Sequence, residues 1–135
     1  MSYPRISSFV IAAIFVVALP ALAQVKAADV TGTWLVDLDP DFGGNPDTIG
    51  CTFKQDAQHV TGGCGHGGSE PQAPLVGQVK DDTLTFEFKT GRRNEQTATF
   101  TARLGDRTST MKGEWRFVDD QGKDHQGKFS GRKQQ

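Results

Sequence analysis

Apolar and polar residues alternate with period two through most of the chain. Thr83–Phe88 reads T-L-T-F-E-F, Thr97–Leu104 reads T-A-T-F-T-A-R-L, and Met111–Phe117 reads M-K-G-E-W-R-F. This is the pattern of strands with one wet and one buried face. Turn residues recur roughly every 10–15 positions, the rhythm of an all-β sandwich or barrel. Eight strands are predicted: Gly32–Leu38, Asp47–Gln55, Val60–Gly65, Leu75–Lys80, Thr83–Phe88, Gln96–Leu104, Thr110–Phe117 and Gln126–Arg132. No convincing 3.6-residue period follows residue 23, so helix is expected to be nearly absent.

Alternation also assigns the faces. The expected interior comprises Trp34, Val36, Leu38, Ile49, Cys51, Phe53, Val60, Cys64, Leu75, Val79, Leu84, Phe86 and Phe88, then Ala98, Phe100, Ala102, Leu104, Met111, Trp115, Phe117 and Phe129. A meander with one apolar face hides that face by curling onto itself, which also removes its edges. The predicted fold is therefore all-β, an eight-stranded antiparallel up-and-down barrel. Gly62, Gly77, Gly113, Gly127 and Gly131 share inward parity with the rings, and either leave space beside them or relieve crowding.

Composition adds a cellular address. Residues 1–23 carry one basic side chain, Arg5, then the apolar run Phe9–Leu19 and the small-residue site Ala21-Leu22-Ala23. These are the parts of a secretory signal peptide, and the run is too short to span a bilayer comfortably. Residues 24–135 are then one domain, periplasmic or secreted, with no membrane anchor. Of fifteen Lys and Arg in the chain, removal of Arg5 leaves fourteen against sixteen Asp and Glu. Such a balanced surface has no electrostatic footprint for nucleic acid. Cys51 and Cys64 are the only cysteines. A hairpin turning through residues 56–59 sets them directly opposite each other, so a structural disulfide is expected rather than a redox or metal site.

Several short motifs together carry a resemblance: Thr31-Gly32-Thr33-Trp34, Thr52-Phe53-Lys54-Gln55, Val60-Thr61-Gly62, Asp81-Asp82-Thr83-Leu84-Thr85-Phe86, Lys112-Gly113-Glu114-Trp115 and Gly127-Lys128-Phe129-Ser130-Gly131-Arg132-Lys133. The chain resembles the small secreted bacterial lipocalin-like (calycin-type) β-barrels, many of them without known function. The resemblance implies that Trp34 closes one barrel end beneath a basic residue near the last strand. Strand parity with Phe129 favours Lys133 for that partner, and the family's usual residue type favours Arg132. Thr31-Gly32-Thr33-Trp34 and Thr48-Ile49-Gly50 also resemble avidin-type barrels. Those line a biotin pocket with several tryptophans, whereas only Trp34 and Trp115 exist here, so biotin binding is not expected.

In an up-and-down barrel alternate connections gather at one end. The short ones, 56–59, 81–82 and 105–109, share an end. The long ones, 39–46, 66–74, 89–95 and 118–125, rim the other, which is the expected mouth. Those long connections and their edges carry Asp39, Asp41, Phe42, Asp47, His66, Ser69, Glu70, Arg92, Arg93, Glu95, Asp119, Asp120, Asp124 and His125. Asp37-x-Asp39-x-Asp41 is a fragment of a calcium loop, but Phe42 and Thr48 stand where glycine and a bidentate glutamate belong. Ser69 near His66 follows two glycines that cannot hold a catalytic triad rigid. With no titratable group expected inside, no catalytic residue, cofactor or metal ligand is assigned.

Two functions remain. The first is binding of a small apolar or amphipathic ligand at the mouth, through Phe86, Phe88, Phe100, Trp115 and Phe117. The second is a filled barrel that contacts an envelope protein as an inhibitor or accessory module. They part on whether the interior rings leave a cavity.

Overall fold

A computed structural model describes residues 28–40, 46–66, 72–90, 93 and 95–135. Eight antiparallel strands close into a barrel in sequence order: β1 (Gly32–Pro40), β2 (Asp47–Asp56), β3 (His59–Gly65), β4 (Ala73–Lys80), β5 (Thr83–Thr90), β6 (Gln96–Leu104), β7 (Thr110–Val118) and β8 (Asp124–Lys133). β1 pairs with both β2 and β8, so no edge is left. The expected all-β barrel is the observed fold, with bounds within a few residues of the alternating runs. The one helical element described is a 3₁₀ turn over Asp106–Thr108.

The β2–β3 hairpin is tighter than expected. Asp56 pairs with His59, leaving Ala57 and Gln58 as the connection, and Ala57 takes φ 54° to complete the reversal. The register is unchanged by this tightening. Cys51 faces Cys64 and the two form a disulfide with Cα atoms 4.1 Å apart, close to the short spacing of about 4.5 Å typical of non-hydrogen-bonded cross-strand pairs.

Inside, aromatic rings form a continuous column. Trp34 meets Phe53 edge-on at 6.2 Å, Phe53 meets Phe86 at 5.2 Å, and Phe86 stacks on Phe100 at 4.7 Å. Phe129 packs edge-on against both Phe86 and Phe100. All five are buried. The inward glycines relieve crowding rather than leave space. A Cβ at Gly127 would come within 2.8 Å of the Trp115 indole, and one at Gly131 within 2.8 Å of Met111.

Four expected core residues are only partly buried: Leu38, Phe88, Trp115 and Phe117. Their alternation is right and their depth is not, because period two reports the face of a strand and says nothing of position along the barrel axis. All four lie toward the long-connection end. The opposite end is plugged by residues 28–31, which the pattern did not reveal. Val30 is fully buried; its N–H donates to Gln55 Oε1 at 2.9 Å and its carbonyl accepts from Trp34 Nε1 at 2.8 Å.

Register separates the two terminal cations. Lys133 pairs with Trp34 across β1 and β8, and its Nζ lies 5.8 Å from the Trp34 ring centre and 3.3 Å from Asp29 O. Arg132 pairs with Leu35 on the outer wall, where its guanidinium donates to Asp37 Oδ2 at 2.9 Å.

Candidate functional site

The long-connection end holds a half-open cavity of about 290 Å³. Its walls are Leu38 from β1, Ile49 from β2, Phe88 from β5, Ala98 and Phe100 from β6, and Trp115 and Phe117 from β7. Asp47, His66 and Thr90 complete the lining. Phe100 belongs both to the buried column and to the cavity, so the column forms its floor. Larger hollows of about 410 and 680 Å³ lie on the outer wall around Thr99 and Arg116, but both have mainly polar linings. A mainly apolar, concave lining with few polar groups is what small-molecule sites have in common.

A three-ring stack runs outward from the β7 wall of the cavity to β8. Trp115 and Phe117 stack at 5.8 Å, and Phe117 stacks on His125 at 4.8 Å with the planes 10° apart. His125 Nε2 lies 2.8 Å from Asp119 Oδ2. The other oxygen of Asp119 accepts from the backbone N–H groups of Gln121 and Lys123, so one carboxylate orders the turn and steadies the stack. The hydrogen bond with His125, then those from the turn, hold the Asp119 carboxyl below its usual value of 3.8. Trp115 itself has no such anchor. Its Nε1 is buried without a hydrogen-bond partner among the described residues, and the ring lies over Gly127.

Across the cavity, His66 Nε2 and Asp47 Oδ2 lie 2.7 Å apart, and Asp47 Oδ1 accepts from the Thr48 N–H at 2.9 Å. Both side chains are more than half exposed, as rim groups are. Sequence reasoning placed them on the mouth connections yet expected an interior free of titratable groups. The missing step is short. Asp47 lies two residues before Ile49, His66 two after Cys64, and His125 two before Gly127, so strand parity carried to the strand ends turns all three inward.

Of the predicted ligand-binding residues, Phe88, Phe100, Trp115 and Phe117 line the cavity and Phe86 does not; it packs beneath Phe100. Leu38, Ile49 and Ala98 were read as core and also line it. Asp37 of the calcium-like fragment is engaged by Thr48 Oγ1 and Arg132 on the outer wall. Asp41, Phe42, Ser69, Glu70 and Arg92 lie outside the described residues, as do the signal-like residues 1–23. No group of three or more His, Cys, Asp or Glu side chains suited to a metal occurs among the described residues.

No family model and no curated protein matches this chain. Among solved structures it is similar to EF1p2_mFAP2b bound to DFHBI, with 16% sequence identity, a TM-score of 0.55, and coverage of 78% of this chain and 94% of that one. At that identity the likeness is one of fold: both are small β-barrels.

Proposed function

We propose that this protein is an exported, non-enzymatic barrel that binds a small apolar or amphipathic ligand at its open mouth, in the manner of lipocalin-like barrels. The observation that carries the reading is the cavity of about 290 Å³ floored by Phe100 and walled by Phe88, Trp115 and Phe117. It lies at the low end of the size range of small-molecule pockets, about 300–1,000 Å³. A compact ring system fits it better than a long lipid chain. The similar barrel EF1p2_mFAP2b holds DFHBI, which supports the reading by analogy of fold.

Export is supported by the signal-like pattern of residues 1–23, with residues 24–135 as the mature domain. The Cys51–Cys64 disulfide is compatible with an oxidising compartment, periplasmic or extracellular. Among the described residues no helix is long and apolar enough to cross a membrane. The alternative of a filled barrel acting through a protein partner draws little support from the outer wall. Val76 and Val118 are its exposed large hydrophobic side chains among the described residues, on separate strands, and isolated apolar residues are normal on surfaces.

The test is a titration of the neutral naphthalene probe prodan with the mature chain. The expected result is saturable, one-to-one binding with blue-shifted emission. Emission that stays at its value in water throughout would remove the reading.

A further inference from the structure

We propose that the mouth selects compact organic cations, aromatic or amphipathic ammonium compounds, over the corresponding anions. This rests on the ligand-binding reading above and assigns the chemical class of its ligand.

Among the described residues that line the cavity, Asp47 carries the only carboxylate, and no Lys or Arg is present. Two basic side chains of the flanking strands are engaged away from the cavity. Lys89 Nζ donates to Thr97 Oγ1 at 2.6 Å, and both Arg116 donors engage Asp124 at 2.9 Å. That hydrogen bond and the charge of Asp124 hold the Arg116 guanidinium above its usual value, so it stays a cation committed to the outer wall. Among the described residues that line the cavity, an anion leaving water would meet no positive partner other than a protonated His66.

A cation finds two complementary features. Phe88, Trp115 and Phe117 line the walls. Phe117 is sandwiched between Trp115 and His125, whereas Phe88 and Trp115 each stack on one partner only among the described residues, and an aromatic face attracts a desolvated ammonium. The Asp47 carboxylate stands at the rim, fixed by the Thr48 N–H and by His66. With His66 neutral, this pair carries a net charge of −1. With His66 protonated the net charge is zero, and the imidazolium competes with the ligand for the same oxygen. The third inward titratable group, His125, is engaged with Asp119 at the outer end of the ring stack and does not line the cavity. The carboxylate is more than half exposed, so solvent screens it, and the discrimination comes from its charge acting together with the aromatic walls.

The experiment is isothermal titration of the mature chain at pH 8. It uses three probes of one shape: 2-(2-naphthyl)ethylammonium, 2-(2-naphthyl)ethanol and 2-naphthylacetate. The expected order is ammonium tightest, alcohol next and carboxylate weakest, with about tenfold between the first two. Asp47→Asn keeps the side-chain shape and the acceptor for the Thr48 N–H. It should weaken the ammonium about tenfold and leave the alcohol within about twofold. Equal or tighter binding of the carboxylate, or an ammonium affinity untouched by Asp47→Asn, would overturn the proposal while leaving the cavity as a ligand site. Failure of all three probes to bind would remove both.

Discussion

The two ends of this barrel each carry one tryptophan on the inward face, and the two are treated in opposite ways. Trp34 is fully buried, donates its indole N–H to Val30 and lies beneath Lys133. Trp115 is only partly buried, its Nε1 has no partner among the described residues, and it lines a cavity. At the first end every polar group of the ring is satisfied and the plug from residues 28–31 excludes water, an arrangement that serves stability. At the second, a buried donor finds no partner among the described residues, and a donor left unmet costs about 1–3 kcal/mol. A protein built only for stability would have filled that space or paired that donor. The difference separates a structural end from the proposed binding end on one short column of rings.

The comparison can be broken at either end. Trp34→Ala is expected to have the largest effect, a loss of about 3–5 kcal/mol in chemical denaturation, as for other buried large aromatics. Its prodan affinity, measured under conditions where the variant is folded, should be unchanged. A large affinity loss there would mean that the two ends are not independent. Next comes the covalent link between β2 and β3. Replacing Cys51 and Cys64 together by alanine removes a short closed loop and should cost about 3 kcal/mol. Thermal melts of the two proteins side by side would measure it.

Trp115→Phe sharpens the contrast. It deletes a donor with no partner among the described residues and part of a partly buried ring, so stability should change by less than about 1 kcal/mol in either direction. Probe affinity should fall severalfold, because a cavity wall has shrunk. A stability loss as large as that at Trp34 would show that Trp115 is core after all. The smallest effect belongs to Asp119, whose carboxyl is held below 3.8 in the folded chain. A depressed carboxyl stabilises the fold above its unfolded pKa, and that contribution is lost as pH falls through the folded value. Asp119→Asn should therefore be slightly less stable than the parent at pH 7. The gap should narrow as pH drops below about 4, toward the depressed value. Denaturation midpoints across that range would show whether it does.

Much of this architecture was legible because period-two alternation holds at most strand positions, with Leu35 and Val76 as outward exceptions, and because a one-residue slip would have turned every ring outward. The disulfide followed from hairpin register alone, and a shorter turn than expected did not disturb it. Three things escaped. The plug at residues 28–31 has too few residues for a period, so Val30 could not be told from a linker. The inward turn of Asp47, His66 and His125 was hidden by treating strand ends as loops. Depth along the axis, which distinguishes Phe86 in the column from Phe88 in the cavity, depends on strand stagger, and the face pattern does not encode it. The choice between Lys133 and Arg132 was settled by β1–β8 register, where parity pointed to Lys133 and residue type to Arg132.

The central claim is that the space between Ala98 and the Trp115–Phe117 wall is a ligand site rather than a packing defect. Ala98 is buried at the cavity wall, and Ala98→Phe would fill the space from within. The most direct measurement is prodan emission titrated with the parent and with Ala98→Phe, alongside the melting temperature of each. The account predicts saturable, blue-shifted emission with the parent and none with the variant, which should melt within a few degrees of the parent. Undiminished probe binding by a folded Ala98→Phe variant would contradict it and place any binding site elsewhere on the barrel.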